Sequence, residues 1–472
     1  MKWFVASLFV AAVTQASLNI GTDESAPVLD VTNANTIPGS YIIKLKNHVG
    51  QAQAEHHHAW VSNIKNDGEQ QHLELRSPGP FDSVISTGMK HTFDLGSSFR
   101  GYSGHFNDAA IEQIRNHPDV ETIERDSIVH ILVPVGTNKT IPGDTRQPET
   151  ETQAPWGLAR ISHRKGLGFG TFNKYLYAEE GGEGVDAYVI DTGTSAAHVD
   201  FGGRAKWGYT APQGEQDEDG HGHGTHCSGT IAGKTYGVAK RANIYAVKVF
   251  GSDGSGSTSD VLKGVDWAAK SHVEQLKLAK AGKRKGFKGS VANMSLGGGM
   301  STLLNLAVDA AVDKGLHFAV AAGNDNADAC YYSPAAAKKV VTVGASAIDD
   351  SRAYFSNHGK CVDIFAPGLN IQSTWIGSKY ATNTISGTSM ASPHICGLLA
   401  YYLSLQPASD SEYSTTITPA ELKDNLVAIG TKNALTDINS DTPNVLAWNG
   451  AGCSNYTQIV EAGGYDVKSS SS

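Results

Sequence analysis

From Trp156 onward the chain alternates short apolar runs with longer amphipathic ones. The runs VDAYVI, ANIYAVKVF, SVANMSL, HFAVAAG, VVTVGA and VDIFAPG are apolar at almost every position, where a strand with one wet face would alternate. Such strands are buried on both sides, so the pattern predicts a parallel sheet with helices on each face. Sites in these sheets form beyond the carboxyl ends of the strands. Ahead of this region, residues 41–45 and 120–131 predict strands, and 52–64 and 108–116 predict helices. They suit a small separate unit. Between the two, Gly136 to Pro155 is rich in Pro, Thr, Gly and charge without apolar period, which predicts an exposed linker open to proteolysis.

A chain of 472 residues, 40% hydrophobic and 18% charged, can bury one large core plus a smaller one. Its net charge of −9 argues against nucleic acid or an anionic membrane as partner. Lys2, the apolar stretch 3–13 and the small residues around Ala16 read as a signal peptide, and no later apolar run has spanning length, so a soluble product is expected. Of five cysteines, Cys227 and Cys396 lie in apolar helical patterns and are expected as buried thiols. Cys330 and Cys361 lie in loop-like sequence and are expected to pair; Cys453 is left open. Among three sequons, Asn293 sits in an apolar strand, leaving Asn455 and the linker residue Asn138 as glycan sites. The basic run Lys277 to Lys288 and the triplet His56-His57-His58 read as solvated faces.

Three segments carry chemistry: VIDTGT with Asp191, GHGHGTHCSGT with His223, and SGTSMASPH with Ser389. A serine hydroxyl becomes a nucleophile when a histidine takes its proton, and a carboxylate fixes that histidine's tautomer. The chain order Asp, His, Ser separates this arrangement from the two other common ones. An esterase would need GxSxG, and Ala391 stands in place of the last glycine. His221 and His226 raise a three-histidine metal site, but no HExxH helix accompanies them. Asn324 closes AAGN after an apolar strand, where its amide can donate to an oxyanion beside the Ser389 N–H.

With APWGLARIS, VIDTG, GHGHGTHC, ANMSLGGG, FAVAAGN, AYFSNHGKCVDIFAPG and SGTSMASPH, the chain resembles subtilisin-family serine peptidases of the proteinase K branch, its fungal vacuolar members above all. The resemblance implies an α/β subtilisin-like fold preceded by an α+β, ferredoxin-like inhibitor propeptide. It also implies a broad serine endopeptidase made as an autoprocessed zymogen, with Asp191, His223 and Ser389 as triad and Asn324 in the oxyanion hole. The division expected is signal peptide 1–16, propeptide 17–135, processing linker 136–155, peptidase 156–450 and tail 451–472. Substrate is expected as an added strand between Gly254-Ser255-Gly256 and Ser295-Leu296-Gly297-Gly298. Ala321, Ala322, Gly323 and Gly297 would wall a pocket preferring apolar or aromatic side chains. The chemistry needs no cofactor; relatives hold a structural calcium through a carboxylate matching Asp363 and carbonyls near Lys338 and Val340. Partners are polypeptide substrates and the chain's own propeptide, the expected state is a monomer, and the expected destination is the vacuole, with the medium as the alternative.

Overall fold

The structure is a computed structural model that describes residues 25–32, 35–64, 88–132, 150–412 and 417–468. The signal segment 1–16, Asn138 and most of the linker lie outside these residues.

The strand Val185–Asp191 is buried at all seven positions, as its unbroken apolar run requires. It lies within a sheet ordered Tyr465–Asp466, Thr431–Lys432, Val445–Leu446, Ile364–Pro367, Val341–Ser346, His317–Ala321, Gly289–Met294, Val185–Asp191, Asn243–Lys248, Ala205–Thr210. The strands from Ile364–Pro367 to Ala205–Thr210 run parallel throughout. Neighbouring residues face opposite ways. Val189 packs with Ile231, Ile395 and Leu399 under the helices His223–Ala232 and Thr388–Ser404. Ile190 packs with Val265, Ala268 and Val308 under Thr258–Lys280 and Thr302–Val312. The order reverses around Val185–Asp191, so its carboxyl end faces the crevice where such sheets bind ligands.

Before it stands a second, mostly antiparallel sheet, ordered Val28–Leu29, Val120–Ile131, Thr36–Leu45, Arg100–His105, Gly88–Asp94. With the helices Gln51–Ser62 and Asp108–Arg115 it encloses its own core of Tyr41, Ile43, Val61, Tyr102, Phe106, Ile114 and Ile123. This unit docks through its carboxylates. Glu124 accepts from Ser301 Oγ at 2.5 Å and from the free N–H groups of Thr302 at 2.9 Å and Leu303 at 3.2 Å. A negative charge there complements the positive end of the helix Thr302–Val312. Asp260 in turn pairs with Lys90 at 2.9 Å and His91 at 2.7 Å.

Several sequence expectations need correction. Within the expected linker, Thr150–Glu151 is a strand paired with Tyr175–Leu176. In the expected tail, Tyr456–Ala462 is a helix and Tyr465–Asp466 closes the large sheet, so the folded part runs past residue 450. Arg284, read as solvated, holds the fully buried Asp186 through two bonds of 2.6 and 2.7 Å, because a carboxylate on a covered strand needs a cation. His57, read as exposed, is only 2% exposed. Cys330 and Cys361 form a disulfide; Cys227 and Cys396 are buried free thiols, and Cys453 is a free thiol that is half-buried.

Candidate active site

Asp191 is the last residue of its strand, His223 the first of its helix, and Ser389 the second of the helix Thr388–Ser404. His223 Nδ1 lies 2.8 Å from Asp191 Oδ1 and 2.9 Å from Oδ2, with both side chains fully buried. Burial disfavours the charged imidazole, yet the adjacent Asp191 carboxylate, with Cys227 beside it, outweighs it and holds the His223 pKa well above its ordinary value. The tight approach depends on glycine. Gly222 has φ +102°, and a Cβ there would meet the Trp375 ring at 2.6 Å; a Cβ at Gly224 would meet the Gly193 carbonyl oxygen at 2.1 Å.

A residue that motif reading missed fastens this loop. Asp219 Oδ1 accepts from Thr192 Oγ1 at 2.8 Å, His221 N at 3.0 Å and Gly222 N at 2.8 Å. Its Oδ2 accepts from Thr225 N at 2.9 Å and Thr225 Oγ1 at 2.6 Å. Burial raises its pKa, but the bonds from Gly222, Thr225 and Thr192 outweigh this and leave it lowered, so the charge is secure. The only sequence trace is an acid before a Gly-rich turn with threonines nearby. His226, by contrast, turns its Nε2 to the Ile371 carbonyl at 2.9 Å, away from a histidine cluster.

The cleft holds the end of the first unit. The strand Val120–Ile131 leaves its own sheet and lies antiparallel between Ser255–Ser257 and Leu296–Gly297. Gly256 pairs with Val129 and Gly297 with His130, and Ile131 N donates to Gly254 O at 3.1 Å. Leu132 then presents its carbonyl oxygen to Asn324 Nδ2 at 2.7 Å and to Ser389 Oγ at 2.9 Å. Ser389 Oγ also lies 3.1 Å from the Ser295 carbonyl, and His223 Nε2 has no partner among the described residues, so the serine–histidine bond is not made in this state. Asn324 is aimed by its other end: Oδ1 accepts from Thr388 N and Thr388 Oγ1, both at 2.9 Å. Leu132 lies over Gly297, where a Cβ would meet its Cδ1 at 3.0 Å; a Cβ at Gly298 would meet Val129 Cγ1 at 2.8 Å. Ala321 is buried at its strand end, Ala322 packs into a satellite core with Val362 and Phe365, and Gly323 abuts Asn357.

The residues implied for calcium do not fit the ion. Asp363 Oδ2 accepts from Thr342 N at 2.8 Å and lies 2.9 Å from Lys423 Nζ. That ammonium also donates to the Val340 carbonyl at 2.6 Å, so Lys423 already bridges the carboxylate and carbonyl that a dication would bridge.

Residues 182–443 match the profile described as the Subtilase family, and residues 40–132 match Peptidase inhibitor I9. The chain is similar to the subtilisin-like proteinase Spm1 of Pyricularia oryzae, with 65% identity covering 98% of this chain and 86% of that one. It is 61% identical to the subtilisin-like serine protease Pen c 2 of Penicillium citrinum, covering 98% and 100% of the two chains. Among solved structures, a cold adapted subtilisin-like serine proteinase matches with 44% identity and TM-score 0.54, covering 63% of this chain and 98% of that one.

Proposed function

As the chain belongs to the subtilase family of serine endopeptidases and carries the family's inhibitor unit ahead of the catalytic one, we propose that Asp191, His223 and Ser389 form its relay and that Asn324 is an oxyanion donor. The observation that carries this reading is the Leu132 carbonyl, held between Asn324 Nδ2 and Ser389 Oγ at 2.7 and 2.9 Å. Ser389 Oγ first turns to His223 Nε2, which takes its proton as Oγ bonds to the Leu132 carbonyl carbon. Charge on the carbonyl oxygen is met by Asn324 and by the Ser389 N–H at the helix start. His223 passes the proton to the nitrogen of Val133 as the C–N bond breaks, and water then releases Leu132 from the serine. No cofactor takes part.

On this reading the inhibitor portion ends at Leu132 rather than 135, and the first cut falls between Leu132 and Val133. Leucine at this position, with Ile131 and Val129 before it, supports a preference for apolar side chains. Residues 1–16 send the chain into the secretory route, with vacuole or medium as its end. Asn455 is the glycan site, exposed and able to keep capping its helix through Oδ1, which accepts from Gln458 N at 3.1 Å. The enzyme acts as a monomer on polypeptides. Purified precursor followed by intact mass and N-terminal sequencing should yield Val133 as the earliest new N-terminus. Leu132→Asp should slow that cut by roughly 10²-fold, because an unpaired carboxylate would have to enter an apolar pocket. A first cut elsewhere, or an unaffected Leu132→Asp, would refute this placement.

The internal cation leads to a second expectation. Calcium should add nothing to the unfolding temperature of mature enzyme through the Asp363 site, so Asp363→Asn should leave any response to chelator as it is in the wild type, since Lys423 carries the charge at Asp363. Lys423→Ala should lose up to about 1 kcal/mol, the range of partly exposed pairs, and recover it in millimolar calcium. Calcium dependence of the wild type that Lys423→Ala leaves unaltered would contradict it.

A further inference from the structure

The histidine triplet of the inhibitor unit holds a feature that peptidase chemistry leaves unused. His57, on the inner side of the helix Gln51–Ser62, points Nδ1 at His117 Nδ1, 3.2 Å away. His117 lies in the turn between the helix Asp108–Arg115 and the strand Val120–Ile131, and its Nδ1 is 3.9 Å from Asp119 Oδ2. One ligand atom from each of His57, His117 and Asp119 lies within 4.8 Å of the others.

We propose that His57, His117 and Asp119 form a binding site for a zinc-like transition-metal dication in the inhibitor unit. Bonds of 2.0–2.1 Å in tetrahedral geometry place ligand atoms about 3.3 Å apart, so the two nitrogens, 3.2 Å apart, already stand at that spacing, while Asp119 Oδ2, 3.9 Å from His117 Nδ1, must swing inward toward both. Without a metal the pair is held by a hydrogen bond, with His117 Nδ1 as a shared acceptor. The single lone pair of His117 Nδ1 faces both His57 and the Asp119 N–H, the latter at 3.2 Å. A dication would replace the shared proton and bring Asp119 in to offset its charge.

The outer partners of such a site are in place. His57 Nε2 is fixed by Tyr102 Oη at 3.1 Å, and Asp119 Oδ1 by Gln53 Nε2 at 2.7 Å. Those contacts orient ligands in metal centres generally. Trp60 packs against both rings, at 5.2 Å from His57 and 4.5 Å from His117. Two imidazoles and one carboxylate match zinc and its neighbours rather than calcium or magnesium. The metal would tie the first helix to the root of the strand Val120–Ile131, whose far end fills the cleft. It would therefore prolong inhibition by stabilising the folded inhibitor.

Zinc chloride titrated calorimetrically into the full-length Ser389→Ala precursor should show one site per chain, micromolar or tighter, and raise the unfolding temperature reversibly to chelator. His117→Ala should weaken that binding at least ~10-fold, and the near-isosteric Asp119→Asn should do the same if the first variant unfolds. His56→Ala, on the exposed side, should leave it unchanged. Cys227→Ser should too, which separates this site from the potential ligand set of Asp191, His223 and Cys227. No saturable uptake below 100 μM zinc (about two decades above the expected range), uptake indifferent to His117→Ala and Asp119→Asn, or uptake lost in Cys227→Ser would overturn the proposal. Intact mass taken first keeps the readings apart: a cut chain speaks against the role of Ser389, and the isotherm is still read on the inhibitor unit that remains bound.

Discussion

Purified Ser389→Ala precursor should remain a single uncut chain, and the Ser389→Ala enzyme freed of its inhibitor unit should hydrolyse peptide substrates about 10⁶-fold more slowly than the mature wild type. That figure is the loss known for the nucleophile of subtilisin, a member of this family. Two features make the variant a clean test. The hydroxyl is the only Ser389 atom placed to attack the Leu132 carbonyl, with Oγ 2.9 Å from its oxygen. Its removal leaves the Leu132 carbonyl with Asn324 Nδ2 at 2.7 Å, so the docked strand keeps its anchor. The second acceptor of the hydroxyl, the Ser295 carbonyl, loses one hydrogen bond, a cost of about 1 kcal/mol against a well-filled core. Unfolding temperature should therefore move by only a few degrees. Spontaneous maturation of the pure variant would remove Ser389 from the mechanism, and collapse of the fold would make it a structural residue.

Asp191→Asn should retain the fold and lose about 10⁴-fold in turnover, as the same change does in a serine peptidase of unrelated fold. The physical cause is legible in the contacts. Asp191 Oδ1 accepts the Thr192 N–H at 2.7 Å, so an asparagine oxygen is drawn to that position and its NH₂ falls where Oδ2 stood, 2.9 Å from His223 Nδ1. With Oδ1 engaged by the Thr192 N–H and a donor in place of Oδ2, the imidazole is biased toward an unprotonated Nδ1 with its proton on Nε2. It then cannot take the serine proton. The pH profile gives an independent reading. In the wild type Asp191 raises the His223 pKa, so the idle imidazolium persists to higher pH and kcat/KM climbs as pH rises through that pKa. With the carboxylate neutralised the pKa falls, and the acid limb should move to lower pH while the plateau drops. An unmoved acid limb would show that another group controls it.

The covered strands, their parallel order and the chemistry-bearing motifs follow from short-range pattern. Val185–Asp191 is apolar at consecutive positions because both faces are buried, and Asp191 must then emerge at its carboxyl end. The glycines around His223 permit one tight turn, and the residues after Ser389 favour a helix, so each motif carries its own local geometry. Membership of the family was legible for the same reason: the motifs are contiguous. What needed the folded chain were partners set by packing between distant segments. Asp219 clamps Thr192 from 27 residues away, and Arg284 reaches Asp186 across 98. Lys423 takes up Asp363, while Tyr465–Asp466 pairs with Thr431–Lys432 to finish the sheet. His57 sits on a helix whose polar composition suits an exposed face, and the sheet behind it buries the ring beside His117. Local propensity and apolar period determine what an element is and which end bears a reactive group. Which charge meets which, and which histidine loses its water, depends on how two cores and a docked strand close over one another, and only the tertiary structure decides that.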